Sequence, residues 1–292
     1  MKIAVIGGNG YLASVIRILK DKKYKFTFFS RKLSKNTKKI SFKSCNDLDK
    51  KLKKFDYLIH LIGMNKKDSS KKNKSVVIKK EITDKVSTIC KKNNIKLIYI
   101  SSVQIYKNFE RLKKINISSP IENEKYYSKA HKIAEDTILK KFKRNKNNYI
   151  IIRLANVFGH KTSMKKLNQE NIINNFCNSA LKRGMINLQK PWLVRNFVPA
   201  KVFNELILKV LRSKKFNNEI INFRNKSNKL KTGTEIKSDK YKKIFKNKIK
   251  IKYGKYKEKK LFKIKDNKFK INFNKKIFNN EIDETLINLY GK

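Results

Sequence analysis

The chain has 292 residues, which a length prior of roughly 150 residues per domain turns into about two domains, and its 39% hydrophobic content excludes wholesale disorder. Nine glycines and three prolines exclude collagen-like and low-complexity architectures. Lys and Arg number 75 against 22 Asp and Glu, a net charge of +53. These cations are spread along the whole chain among abundant Asn, Ile and Phe, so the charge favours small anionic ligands in clefts and no specific nucleic acid.

Lys2–Ile6 is a short apolar run that ends in glycines and reads as a buried strand, followed by a helix over Tyr11–Leu19. Lys25–Ser30 is a second strand, Leu48–Lys54 a helix, and Tyr57–Ile62 a strand without a polar face. A helix over Val76–Lys92 leads to the strand Lys96–Ile100, and a helix over Ser128–Lys141 leads to the strand Tyr149–Leu154. Strands apolar on both faces and separated by helices predict a parallel sheet covered on both sides. Beyond Gly159 the alternation decays: helices are expected over Gln169–Arg183, Val202–Leu211 and Glu281–Tyr290, with Lys-alternating strands over Lys248–Tyr253 and 261–273. The boundary therefore falls near residue 160, with a smaller mixed α/β part over 161–292 packed on the first.

Cys45, Cys90 and Cys177 are odd in number and far apart, with no Cys-x-x-Cys pair or Cys/His cluster, so neither a disulfide framework nor a metal site is expected. No apolar stretch reaches the length of a membrane span, and glycines interrupt the apolar N-terminus where a signal peptide needs a continuous run. A cytoplasmic protein is the expectation.

Gly7-Gly8-Asn9-Gly10-Tyr11-Leu12-Ala13 lies between the first strand and its helix. Spacing alone fits any glycine-rich turn. In a strand–turn–helix context it points to a dinucleotide, because a pyrophosphate must approach backbone N–H groups where a β-carbon at Gly7 or Gly10 would obstruct. NAD binders usually carry an acid at the end of the second strand. Here Ser30 and Arg31 stand there, a pair able to hydrogen-bond a 2′-phosphate, so NADP is favoured over NAD unless Arg31 is one more surface cation.

Further along come Ser101-Ser102-Val103-Gln104-Ile105-Tyr106, then Tyr127 with His131 four residues on, then Arg153-Leu154-Ala155-Asn156-Val157-Phe158-Gly159, and Arg195-Asn196-Phe197-Val198. With the glycine turn and the strand Asp56-Tyr57-Leu58-Ile59-His60-Leu61-Ile62-Gly63, these motifs stand in the order found in extended short-chain dehydrogenases/reductases. The chain resembles the NAD-dependent epimerase/dehydratase family, which works on nucleotide sugars. The resemblance covers about residues 1–200 and implies a Rossmann-like doubly wound sheet with a small C-terminal substrate-binding part.

It implies roles as well. Tyr127 would be the general acid/base, Ser102 would bind the reacting oxygen, and Asn156 and Arg195 would hold the nucleotide diphosphate. Gly7, Gly10, Tyr11, Leu12, Leu61, Gly63 and His131 would contact the cofactor. The family motif is Tyr-x-x-x-Lys and this chain has Tyr-x-x-x-His. His131 can still donate to the nicotinamide ribose and, when protonated, steady a phenolate. Epimerisation or 4-keto reduction fits better than dehydration, since Val103-Gln104 follows Ser102 where dehydratases carry acids. A homodimer through the Tyr127 helix is a family expectation. A non-catalytic nucleotide-binding sensor of the same fold is the alternative. His60 is expected to be a satisfied core histidine, and Tyr106 and Tyr126 packing residues.

Overall fold

A computed structural model describes residues 1–63, 73–107, 114–144, 148–159, 175, 179, 182–188, 194–213, 218–223, 227–229, 250–253, 263–264, 280–281 and 284. Contacts divide the chain into two compact units. One comprises Met1–Lys107, Ile117–Leu154 and Leu211–Phe223; the other comprises Asn108–Asn116, Ala155–Val210 and Arg224–Lys292.

The first unit is built on seven strands: β1 (Lys2–Ile6), β2 (Lys25–Ser30), β3 (Lys38–Lys39), β4 (Tyr57–His60), β5 (Lys96–Ser102), β7 (Tyr149–Leu154) and β11 (Glu219–Phe223). All pair in parallel, in the order β11-β7-β5-β4-β1-β2-β3. Helices α1 (Tyr11–Arg17), α2 (Cys45–Leu52), α3 (Asn73–Lys92) and α4 (Tyr126–Phe142) connect them. Period-two alternation sends Ala4, Ile6, Leu58, Leu97, Tyr99 and Ile151 to one face, where they join Leu48 and Leu52 of α2, Val86 and Ile89 of α3, and Ala134 and Ile138 of α4 in one core. Phe28 points to the other face, where Arg17 of α1 stacks 4.6 Å from its ring centre. The doubly wound sheet expected from the apolar strands is present.

Strand β11 is the seventh, and its sequence did not announce it. The run is five residues long and carries Asn222 at a position that is fully buried. A polar residue there is tolerated because the Tyr106 hydroxyl donates to Asn222 Oδ1 at 2.6 Å.

In the second unit β8 (Asn156–Phe158), β10 (Val194–Pro199) and β12 (Ser227–Lys229) form a small sheet, β9 (Met185–Leu188) pairs with β13 (Lys250–Tyr253), and β6 (Lys114–Ile115) pairs with β14 (Lys263–Ile264). Helix α5 (Ala200–Arg212) begins here. Its first turn has no acidic residue of its own, and Lys201 N donates instead to Glu281 Oε2 at 3.3 Å. Gly159 makes that contact possible. Its φ is +133°, and a β-carbon would stand 1.9 Å from Glu281 Oε1. Gly159→Ala should therefore cost about 1–3 kcal/mol of stability, read as a lower urea midpoint at unchanged slope. An unshifted midpoint would mean that the buried Glu281 is not what the glycine accommodates.

The strand expected over Lys248–Tyr253 appears as β13. Most of the helix expected over Gln169–Arg183, most of 261–273, most of Glu281–Tyr290, and Cys177, His160 and Trp192 lie outside the described residues.

Candidate active site

Strand order reverses beside β1, with β2 on one side and β4 on the other. Ligands of open parallel sheets sit at the carboxyl ends of strands at such a reversal. The glycine turn leaves β1 there, and Leu61–Gly63 leave β4 there. Gly7 has φ +87°, and a β-carbon on it would lie 3.0 Å from Ile62 N and from the Leu61 carbonyl carbon. The turn is thus held flush against the end of β4. Asn9 extends the same turn toward the chain after β2: its Nδ2 donates to Lys32 O at 2.9 Å, and Ser34 Oγ donates to its Oδ1 at 2.8 Å. Gly10 is the N-cap of α1 and brings no side-chain cap, and the first turn has no acid. Tyr11 and Leu12 are half-buried on that turn. Ser30 closes β2, half-buried, followed by exposed Arg31. A dinucleotide phosphate suits this chemistry: tight backbone, a helix start without a carboxylate, and a serine and an arginine at the second strand's end.

One strand further along, β5 ends on Ser101 and Ser102, which alternation turns to opposite faces. Ser102 is buried, and its Oγ accepts from Gln104 N at 3.1 Å, capping the 3₁₀ turn Val103–Ile105. Ser128 Oγ donates to Gln104 O at 2.9 Å, pinning the start of α4 to that turn. This brings the half-buried Tyr127 phenol close to Ser102. Burial raises the phenol's pKa above its ordinary value of 10, and the nearby Ser102 hydroxyl offsets part of the rise. Residues four apart share a helix face, so His131 lies against Tyr127 with ring centres 4.8 Å apart.

His131 is buried, and its Nδ1 is 3.0 Å from the Tyr99 hydroxyl. Burial above all, then the charge of Lys79 and the neighbouring His60, hold its pKa well below 6.5. The ring is therefore neutral at pH 7, and the positive charge that the sequence allowed it is missing from the imidazole. The reason is tertiary: α4 presses this residue onto the sheet under Tyr99, away from water. His60 sits beside Tyr99 in the β4–β5 register, fully buried. Its Nδ1 accepts from Ile62 N at 3.2 Å, so Nε2 carries the proton toward Thr83 Oγ1, also 3.2 Å away. It is a satisfied core histidine.

Next to this group runs a polar network that motif reading passed over. Ser101 Oγ donates to Glu135 Oε1 at 2.6 Å, and Arg153 reaches the same carboxylate with Nε at 3.1 Å and Nη2 at 2.7 Å. Arg153 Nη1 donates to the Tyr106 hydroxyl at 2.8 Å and to Ile117 O at 3.1 Å. Tyr106 is thus more than packing. Glu135 and Arg153 are almost wholly buried, and the β5–β7 register sets Ser101 opposite Arg153. The available signal was a Glu and an Arg each placed within an otherwise apolar helix face or strand.

In the second unit Asn156 opens β8 opposite Phe197 of β10, and its Nδ2 donates to Asn196 O at 3.2 Å. Arg195 lies on the same β10, opposite Asn228 of β12. The structure thus brings Ser102, Tyr127 and His131 together in one unit, and Asn156 and Arg195 into one small sheet in the other. A separate cleft of about 480 Å³ runs along one face of β2 from Lys25 to Phe29, walled by Lys38 of β3 and by Lys50, Lys51 and Lys54, and Tyr127 is not among its lining.

The model of the NAD-dependent epimerase/dehydratase family matches residues 3–223. The chain belongs to that family. Curated proteins yield no match to it. Among solved structures, the UDP-N-acetylglucosamine 4-epimerase from Bacillus cereus is similar over 100% of both chains at 18% identity, with a TM-score of 0.78. The UDP-N-acetylglucosamine 4-epimerase from Methanobrevibacter ruminantium, in complex with UDP-N-acetylmuramic acid, is similar over 99% of this chain and 98% of its own, at 22% identity and TM-score 0.73. L-threonine dehydrogenase from Phytophthora infestans is similar over 100% and 99%, at 11% identity and TM-score 0.80. At such identities the likeness is one of fold, and the family itself supplies NAD(P) as the cofactor. No helix among the described residues is long and apolar enough to cross a membrane.

Proposed function

We propose that this family member is an enzyme acting on a sugar carbon of a nucleotide-activated sugar, by epimerisation or by reduction of a 4-keto group, with dehydration less favoured. The observation that carries the reading is that Ser102 and Tyr127 meet at the carboxyl end of β5, one strand beyond β4 and the strand-order reversal. A protein that only sensed a nucleotide would have no use for a paired hydroxyl and phenol at that edge.

When bound, the nicotinamide cofactor supplies hydride transfer. The chain's own residues do the rest. Tyr127 passes a proton to or from the sugar hydroxyl, and Ser102 hydrogen-bonds that oxygen and orients it. Gly7, Gly10, Tyr11 and Leu12 would hold the cofactor's phosphates, Leu61 and Gly63 would contact it, and His131 would donate to its ribose. Ser30 and Arg31 favour NADP over NAD, since a carboxylate there would repel a 2′-phosphate and none is present. Asn156 and Arg195, both in the second unit, hold the diphosphate of the substrate.

Purified protein incubated with UDP-, GDP- and dTDP-sugars should convert at least one of them, and should bind NADPH more tightly than NADH. Epimerisation leaves the pool of reduced coenzyme constant, whereas 4-keto reduction consumes one NADPH per sugar. Coenzyme bound without conversion of any sugar would support the non-catalytic reading instead. Tighter NADH binding would remove the roles given to Ser30 and Arg31.

A further inference from the structure

A neutral imidazole has one N–H and one bare nitrogen, and the hydrogen bond made by one decides what the other can do. His131 is neutral, so the nitrogen that keeps the proton decides whether the ring can donate to anything bound beside it. Among the described residues the ring has one hydrogen-bonding partner, the Tyr99 hydroxyl, 3.0 Å from Nδ1. Nε2 has no partner among them.

Donor supply fixes the direction of that bond. Tyr99 is fully buried on β5, and burial pushes its phenol well above 10, so the O–H stays a donor. Its proton has no acceptor among the described residues except His131 Nδ1. An N–H at Nδ1 would leave two buried groups unpaired, the Tyr99 O–H and the bare Nε2. An O–H donated to Nδ1 leaves only the Nε2–H, and each unpaired buried group costs its full desolvation. The Tyr99 ring cannot move aside to escape this. His60 packs against it with centres 5.1 Å apart, and the Lys79 ammonium stands 5.2 Å from its centre. In strand register Tyr99 faces His60, and His60 faces Ile6, the last residue before the glycine turn. Two strand spacings, about 10 Å, therefore separate Tyr99 from the start of that turn.

We propose that Tyr99 is a positioning residue: its hydroxyl donates to His131 Nδ1, fixes the ring as its Nε2–H form, and so keeps one donor free for an oxygen of the bound coenzyme. The inference rests on reading His131 as the donor to the coenzyme ribose. A lysine in the Tyr-x-x-x-Lys motif carries three N–H groups, and any rotation of its ammonium presents one of them. A neutral histidine carries a single N–H, so a second residue must decide which end of the ring bears it. A phenylalanine at position 99 would fill the same buried space. The hydroxyl is the part of Tyr99 that packing does not need, and His131 is its only hydrogen-bonding partner among the described residues.

The test starts from the full-length wild type with ¹⁵N in its histidine rings. The chain has three histidines, and the His131 signals are assigned by their loss in His131→Lys. At neutral pH Nε2 should resonate as a protonated nitrogen and Nδ1 as a bare one that accepts a hydrogen bond. In Tyr99→Phe the Nδ1 signal should move, through loss of that bond or arrival of a proton. Should Tyr99→Phe fail to fold, the wild-type tautomer still decides. Coenzyme binding gives the second measurement. Tyr99→Phe should bind NADPH about three- to tenfold more weakly than the wild type, the range for one hydrogen bond. In a His131→Lys background the same substitution should leave the affinity unchanged, because an ammonium needs no orienting partner. A proton on Nδ1 in the wild type would overturn the proposal. An equal effect of Tyr99→Phe in both backgrounds, whether a loss or none, would also overturn it and reduce Tyr99 to packing. Neither measurement uses a sugar. Both expected results without turnover of any sugar would overturn the proposed reaction and leave the role of Tyr99 standing.

Discussion

Replacing Tyr127 by Phe is expected to lower kcat on the nucleotide sugar by about 10²–10⁴-fold, the range for a lost general acid/base, with coenzyme affinity unchanged. The variant is nearly isosteric. The ring keeps its contact with His131, centre to centre 4.8 Å, and only the phenol oxygen disappears. Loss of that one hydroxyl should cost about 1 kcal/mol of stability or less, too little to unfold the chain. A drop in kcat without loss of fold therefore reports on chemistry. Full activity in Tyr127→Phe would move the proton-transfer role elsewhere and leave the Ser102–Tyr127 pair as a structural contact.

The largest expected change in stability is at Glu135. Its carboxylate receives two nitrogens of Arg153 and the Ser101 hydroxyl, with both charged side chains almost completely buried. Glu135→Ala strands a guanidinium in the core. Removing one partner of such a pair costs about 3–5 kcal/mol, a large share of the stability of a typical domain. The urea midpoint should fall accordingly at constant slope. Arg153→Met should destabilise comparably, because it leaves Glu135 charged and also takes a donor from Tyr106 and Ile117 O. A loss below about 1 kcal/mol in both variants would show that water enters and solvates the remaining charge.

The two variants separate two layers of the same helix. Tyr127 and His131 stand in the first turns of α4, pinned to the turn that follows β5. Glu135, one turn further along, locks α4 to β5 and β7 and so fixes where Tyr127 stands. A weakened lock should loosen the site, so Glu135 variants are expected to lose activity in step with stability, unlike Tyr127→Phe.

Much of this was readable along the chain. Apolar strands alternating with helices pointed to a parallel sheet, because a strand covered on both sides has no polar face to show. Each motif is a local device, made by residues within a turn or two of one another: Gly7 to Gly10 at the first bend, Tyr127 and His131 on one helix face, Ser102 at a strand end. Strand β11 was not legible, since its buried Asn222 is rescued by Tyr106 from 116 positions away. Glu281 was likewise opaque. Its carboxylate meets the N-terminus of α5, 80 residues earlier in the chain.

Charge state marks the dividing line most sharply. Composition and spacing could identify His131 as an ionisable ring beside a tyrosine, and Lys79 as one of 75 basic residues. Whether either carries a proton depends on solvent removed by segments distant in the chain, by β4, β5 and α3 closing over α4. Local order along the backbone announced the fold and the family's motifs. Desolvation, which exists only once those segments meet, leaves the histidine neutral and lowers the buried Lys79, on another helix, to about 7.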